Sequence, residues 1–198
     1  MAAVPIRKMK DVRNIINYFL EKGNLRNYLL IVMGINTALR ISDLLMVRWA
    51  DVYDFKYKRF CKHLALKEKK TGKRQSVALN DAIITALKKI FPHVPDKGPM
   101  GEYYIFANNR RSKDGTAKPI SRQQAYRIIN EAGVGSHTGY RVTCHSLRKT
   151  FGYHAWRSGV HMALLVEIYN HSGYEMTRRY LGIAQDERDA VYLKIQLG

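Results

Sequence analysis

Cysteine and acid are scarce in this chain. Its 198 residues include two cysteines, Cys61 and Cys144, outside any CxxC pair, so neither a disulfide framework nor a zinc-ligand spacing is implied. That usage suits a reducing cytoplasm. Asp and Glu number 16 against 34 Lys and Arg, and no acidic cluster accompanies His145, His154 and His161 to build a metal site. Nothing at the N-terminus resembles a secretory signal, and the longest apolar run, "YLLIVMGI" at 28–35, is too short to span a bilayer. Internal repeats and low-complexity tracts are also lacking. These absences leave a soluble protein with no membrane partner, long enough to bury a substantial core in one domain.

What is present is positive charge. A formal +18 exceeds what solubility requires and points to a polyanionic partner, nucleic acid first. The charge thickens at "KEKKTGKR" (67–74) and "RRSK" (110–113), both between apolar runs, where loops facing phosphates or a plain solvated face are the two readings. Periodicity predicts a helix over 11–22 ending at Gly23 and a second one capped by Asn24. "RFCKHLAL" (59–66) and "QSVAL" (75–79) then read as a β-hairpin with a cationic tip. A helix capped at Asn80 follows, then a Pro- and Gly-marked connection and a loop over 108–119. From Ser121 the pattern is helical to the end, with Gly133 expected as a C-cap. The expected class is α+β, mostly α-helical with a small antiparallel β-sheet, in one domain.

Two short motifs could carry chemistry. In "TCHSLRKT", His145 and Arg148 stand three apart on a predicted helix and share a face; the pair could bind one phosphate, or Arg148 could cap a carboxylate. In "TALRISDLL", Arg40 ends an apolar helix, where a charge needs a partner. Asp43 could supply it, or Arg40 could face a cleft beside Arg148, two guanidiniums gripping the oxygens of a phosphodiester. Further on, "HSGYEMTRRYLG" places His171 nine residues before Tyr180.

The ordered set (an Arg, a Lys at a hairpin tip, HxxR on a helix, and a His nine residues ahead of a Tyr) resembles the tyrosine recombinases, the phage integrase family, over essentially the whole chain. The resemblance matches Arg40 to the family's first arginine, Asp43 to the supporting acid after it and Lys70 to the hairpin lysine. It matches His145 and Arg148 to HxxR, His171 to the later histidine and Tyr180 to the nucleophile. It implies a 3′-phosphotyrosyl DNA intermediate formed without metal, ATP or any other cofactor, with double-stranded DNA as partner and a homotetramer on that DNA. Attack of a phenol on phosphorus builds charge on the equatorial oxygens, which Arg40, Arg148 and the two histidines would offset. A phenol with pKa near 10 is only ~0.1% ionised at neutral pH, so activation costs about 4 kcal/mol without help. His145 is the candidate base, Lys70 the proton donor to the leaving 5′-oxygen, and His171 a donor to a non-bridging oxygen.

DNA contacts are assigned to Lys67, Lys69, Lys73, Arg110, Arg111 and Lys113 on the two basic stretches, and to Arg122, Gln123 and Tyr126 at a helix N-terminus, where base edges or phosphates could be met. Arg178 and Arg179 are expected to contact DNA backbone or tune their helix, and Ser172 to cap it. Cys144 reads as a small buried cysteine, Tyr169 and Tyr174 as core or rim residues, and Trp49 and Trp156 as packing. Two departures from the family's pattern stand out: Ala38 replaces a glycine, and Tyr169-Asn170 replaces Leu-Gly, Asn being tolerant of left-handed backbone. The chain is expected to be a lone catalytic domain, 1–198, without the family's N-terminal core-binding domain, whose short tail, 183–198, docks in cis or on a neighbouring protomer. Without that clamp, binding should be weak and steeply salt-dependent. Rival readings are a topoisomerase-like nicking and resealing enzyme, a non-catalytic DNA-binding regulator on the same scaffold, and, on charge alone, an RNA-binding protein.

Overall fold

A computed structural model of the protein describes residues 3–93, 100–111 and 117–195. Helix α1, Met9–Glu21, buries Val12, Ile15 and Phe19 on one stripe and gives way to Gly23 at φ 68°. Helix α2, Leu25–Asn36, starts where the Asn24 side chain accepts the Asn27 N–H at 3.2 Å, and it is buried from Asn27 to Ile35. This helix runs through the centre of the molecule. Two short helices follow, α3 (Ile41–Leu44) and α4 (Trp49–Val52). Strands β1 (Tyr53–Asp54) and β2 (Arg59–Phe60) pair with each other, and β3 (His63–Lys67) pairs antiparallel with β4 (Arg74–Ala78) in the register Leu64↔Val77, Lys67↔Arg74.

Helix α5, Asp81–Ile90, is capped by Asn80, which accepts from Ile83 N at 3.0 Å. Strands β5 (Ala107–Arg111) and β6 (Ala117–Pro119) pair antiparallel, and the chain closes with five helices: α6 (Arg122–Gly135), α7 (Cys144–Arg157), α8 (Met162–Tyr169), α9 (Tyr174–Leu181) and α10 (Ala184–Lys194). No helix among the described residues is long and apolar enough to cross a membrane.

The class is the mostly helical α+β one expected, with corrections in detail. Among the described residues the β structure is three separate two-stranded sheets. Residues 59–60 belong to a different pair from the cationic hairpin, and part of the stretch expected as a loop over 108–119 is strand. Gly133 caps nothing: α6 runs on to Gly135, with Ser136 as C-cap. A Cβ at Gly133 would lie 2.7 Å from Val142 Cβ, so that glycine permits close packing. Nor does Ser172 cap α9. Gly173 holds the N-cap position, and the Ser172 hydroxyl instead meets Met176 Sδ at 3.4 Å.

Two apolar clusters share α7 as a wall. The larger joins α1, α2, α5 and α6 and includes Leu147; the smaller gathers Ala38, Tyr153, Leu165, Tyr169, Leu181 and Ile183. At Gly34 the two helices approach so closely that a Cβ would stand 2.7 Å from Leu147 Cδ1. In the smaller cluster, α7 meets Tyr169 and Leu181 through Gly152, where a Cβ would come within 2.5 Å of Tyr169 Oη and 2.6 Å of Leu181 Cδ2. Overfilling a packed site costs about 1–3 kcal/mol. Gly152→Ala should therefore lower the thermal midpoint by roughly 2–10 °C in a melt followed by circular dichroism; an unchanged midpoint would mean that this contact is not tight.

Candidate active site

Arg148 is the most deeply placed charge of the constellation. It rides on α7, whose first turn is fixed by a reciprocal cap: Thr143 accepts from Ser146 N, and the Ser146 hydroxyl accepts from Thr143 N. The residue is 3% exposed. One Nη donates to the Tyr169 carbonyl at 3.1 Å, the guanidinium lies 4.9 Å from the Tyr169 ring centroid, and the Tyr169 hydroxyl donates back to the Arg148 carbonyl at 2.5 Å. The other Nη is buried and faces the buried Tyr180 hydroxyl, which it helps to ionise, without a well-formed hydrogen bond. A buried donor so poorly satisfied costs about 1–3 kcal/mol, which an anion's oxygen would relieve.

Tyr180 packs around this arginine. Its ring centroid is 5.4 Å from that of Tyr169 and 5.1 Å from that of His171, the latter edge-on at 76°. Its hydroxyl is buried against the Arg148 guanidinium. Burial pushes the phenol's pKa up, while the charges of Arg148 and then Arg40, and a hydrogen bond from Arg148, pull it back. The Lys149 ammonium sits 4.9 Å from the same ring and donates to the Ala3 carbonyl at 2.8 Å. Sequence reading missed Lys149, since successive helical residues face apart; its long side chain bridges that gap.

His171 follows α8 through Asn170, which stands in the left-handed region at φ 52° and ψ 46° as expected for that position. Its Nδ1 lies 3.0 Å from the hydroxyl of Thr177, a fully buried residue of α9. With Nδ1 engaged, Nε2 is left for a ligand. The Thr177 hydroxyl also donates to the Gly173 carbonyl at 3.3 Å, an arrangement in which it accepts from Nδ1–H; presenting Nε2–H to a phosphate would turn the Thr177 proton from Gly173 to Nδ1. Burial first, then Arg148 and Arg40, lower the His171 pKa to about 4. His145 lies on the first turn of α7, open to solvent on one side, and the partial desolvation of its ring, then Arg148, Lys149, Arg122 and Arg40, lower it too. His171 is thus neutral at pH 7, and His145 is shifted toward its neutral form.

Arg40 reaches the site from the N-cap of α3, two residues after Ala38, whose backbone is left-handed at φ 54°. An L-residue there costs about 1–2 kcal/mol, the physical reason glycine suits this position. Arg40 does not pair with Asp43. Its Nη1 meets Glu68 Oε1 at 2.6 Å, whereas Asp43 Oδ1 accepts the Lys69 N–H at 3.0 Å and so fastens the hairpin to α3. Glu68, the acid inside the basic run, was not singled out by sequence reading. Burial alone would raise its carboxyl, but hydrogen bonds from Thr71, Asn170 and Arg40 hold it below the usual range.

The structure therefore brings Arg40, Arg148, His171 and Tyr180 together, with His145 beside them. Lys70 does not join them: it is exposed in the turn of the β3–β4 hairpin. Lys73 donates to Asn170 Oδ1 at 2.7 Å, next to His171. Lys67 and Lys69 are exposed on that hairpin, and Arg122 and Gln123 on the first turn of α6. The Tyr126 hydroxyl is taken by Arg141, which donates from Nε at 2.8 Å and from Nη2. Arg110 and Arg111 are placed only as backbone of β5, while their side chains and all of Lys113 lie outside the described residues. Arg178 is bound to Glu187 and Glu175 and joins α9 to α10; Arg179 is exposed. His154 meets the Ile6 carbonyl at 2.9 Å and His161 caps α8.

The depressed histidines carry a stability consequence. Between the unfolded value of about 6.5 and the folded value of about 4 for His171, the unfolded chain takes up a proton that the folded one does not. Stability contributed by neutral His171 is present above pH 6.5 and is lost as pH falls toward 4. Melts at a series of pH values should show the midpoint dropping over that window, and His171→Gln should flatten the slope. An unchanged slope in the variant would contradict the half-buried, cation-flanked placement.

Comparison with known proteins agrees with this geometry. A sequence model of the phage integrase family matches residues 8–187. The probable integrase/recombinase YoeC of Bacillus subtilis is 37% identical over 188 residues, 95% of this chain and 94% of YoeC. Tyrosine recombinase XerA of Pyrococcus furiosus is 26% identical over 183 residues, 92% of this chain but only 59% of XerA. Among solved structures, the XerH site-specific recombinase bound to its palindromic difH substrate in a post-cleavage complex superposes with a TM-score of 0.69 at 18% identity, over 90% of this chain and 49% of that one. The chain thus spans nearly all of one relative and three-fifths or less of the other two, with the fold of a tyrosine recombinase catalytic domain throughout. By sequence and by fold, it belongs to the phage integrase family.

Proposed function

We propose that the protein is a tyrosine-type site-specific recombinase or integrase that cleaves and rejoins double-stranded DNA through a 3′-phosphotyrosyl intermediate on Tyr180. The observation that carries this reading is the buried phenol hydroxyl of Tyr180 held against the buried Arg148 guanidinium, with His171 and Arg40 on the same spot. A phosphodiester entering there would meet a nucleophile and three groups able to hold its non-bridging oxygens. The charge of +18 supports a polyanionic substrate, and XerH was solved on its difH substrate after cleavage.

In the proposed step the Tyr180 oxygen attacks phosphorus and its proton passes to His145, neutral and therefore able to accept it. The bond from phosphorus to the 5′-oxygen breaks, and that oxygen takes a proton from Lys70 once the hairpin meets DNA. Arg40, Arg148 and His171 stabilise the charge on the equatorial oxygens. A 5′-hydroxyl then attacks the phosphotyrosine, restoring the diester and the phenol. One ester replaces another, so no ATP is consumed, and the fixed cations take the charge that a metal would otherwise offset. Residues 1–198 serve as a single catalytic domain on this reading. Helix α10 leaves Val191, Tyr192 and Leu193 exposed, apolar side chains suited to docking on a second copy in a DNA-bound homotetramer. Activity belongs wherever cellular DNA is accessible, in the cytoplasm and on the nucleoid.

The test is incubation with nicked suicide duplexes made from the DNA flanking the gene, in the presence of EDTA. Wild type should form a covalent adduct that survives denaturation, and Tyr180→Phe should form none. Cleavage that persists in Tyr180→Phe, or that requires Mg²⁺, would overturn the proposal. Supercoil relaxation without recombinant products would favour the topoisomerase reading.

A further inference from the structure

Glu68 is a buried carboxylate in the most basic stretch of the chain, 2% exposed, and three separate segments converge on it. From the turn before α3, Arg40 Nη1 pairs with Oε1 at 2.6 Å. From the hairpin's own turn, the Thr71 hydroxyl donates to Oε2 at 2.6 Å. From the C-cap of α8, Asn170 Nδ2 donates to the same oxygen at 3.1 Å. Its backbone closes the tip as well: Glu68 accepts from Gly72 N at 2.8 Å and donates to the Lys73 carbonyl at 2.9 Å. Lys73 Nζ then reaches Asn170 Oδ1 at 2.7 Å, and Gln75 Nε2 reaches the Ile168 carbonyl at 2.7 Å.

A two-stranded hairpin is marginal by itself, and several lysines crowded at one tip repel one another, so the tip needs an anchor to hold a defined position. Burying a carboxylate is costly unless it is paired and hydrogen-bonded. Glu68 meets that condition only with the hairpin seated against the α8–α9 turn, the turn that carries His171. The carboxylate therefore favours one hairpin position, with its lysines at the edge of the site.

We propose that Glu68 is a positioning residue for leaving-group protonation, clamping the β3–β4 hairpin through Thr71 and Asn170 so that a hairpin ammonium can reach the 5′-oxygen. This rests on the recombinase reading above. In the step concerned, the bond from phosphorus to O5′ breaks, the electron pair goes to O5′, and the ammonium supplies the proton. Glu68 touches no reacting atom. Its pairing with Arg40 ties the clamp to the phosphate site, so loss of Glu68 affects both groups, and the test must isolate the proton transfer.

A substrate with sulfur in place of the bridging 5′-oxygen does this, because a thiolate leaves without a proton; free thiols have a pKa of about 8.5. Cleavage by wild type, Glu68→Ala and Thr71→Val would be timed on matched oxygen and sulfur duplexes, with melts to verify folding. Thr71→Val removes the hydrogen bond to Glu68 and the acceptor of the Lys73 N–H at an exposed position, and leaves Arg40 its partner. On the oxygen substrate Glu68→Ala should be slowed on the order of 100-fold and Thr71→Val about 5-fold. On the sulfur substrate the Glu68→Ala defect should shrink at least tenfold and the Thr71→Val defect should vanish. Defects absent from both substrates, or equal on both, would overturn the clamp. If wild type itself forms no adduct on Tyr180, the recombinase reading fails instead, and the two failures are told apart by that control.

Discussion

Burial of the Arg148 guanidinium is the constraint from which the site is built. A cation at 3% exposure holds its charge only if its surroundings are arranged around it. Tyr169 supplies a carbonyl, a ring face and a hydroxyl turned back to the arginine's own backbone. This clasp fixes α8 to α7 and, through the Asn170 turn, fixes His171. Gly152 lets Tyr169 and Leu181 close on α7, which seats α9 and Tyr180. The other Nη faces the Tyr180 hydroxyl, so cation and phenol are buried on the same spot.

The electrostatics follow from the same concentration of cations. Burial first, then Arg148 and Arg40, push both imidazoles toward the neutral form, with Lys149 adding to this at His145, while the phenol, raised by burial, is drawn back by the two arginines. A neutral imidazole can accept a proton, and a phenol among guanidiniums is easier to ionise than burial alone would allow. Glu68 tempers this field from one side by pairing with Arg40. Acidic residues elsewhere hold structure, as Arg178 with Glu187 joins α9 to α10.

Much of this was legible because it depends on residue order and on local spacing. HxxR on one helical face, Asn24 and Asn80 as caps, and Asn170 as a left-handed residue are all short-range facts that a sequence carries. The errors were local ambiguities: two glycines lie near the end of α6, and the one expected as its cap, Gly133, falls inside the last turn, while Ser172 and Gly173 compete for one cap. What could not be read depends on contacts between distant segments. Glu68 meets Asn170 across 102 residues, and only the fold reveals that it, rather than Asp43, takes Arg40. Thr177 was the most accessible omission, three residues before Tyr180 and so on a neighbouring position of the same helix. Lys149 and Tyr169 looked like filler beside the motifs that they support.

The central claim is that Arg40, Arg148, His171 and Tyr180 serve a single phosphate. A crystal structure with orthovanadate and a DNA duplex interrupted at the cleavage position tests it most directly, since vanadium adopts the geometry of the transferring phosphorus. The account predicts the Tyr180 oxygen at one apex of the vanadate, the 5′-oxygen at the other, and Arg40, Arg148 and His171 on the equatorial oxygens. Vanadate bound away from Tyr180, or held there by only one of these side chains, would contradict it.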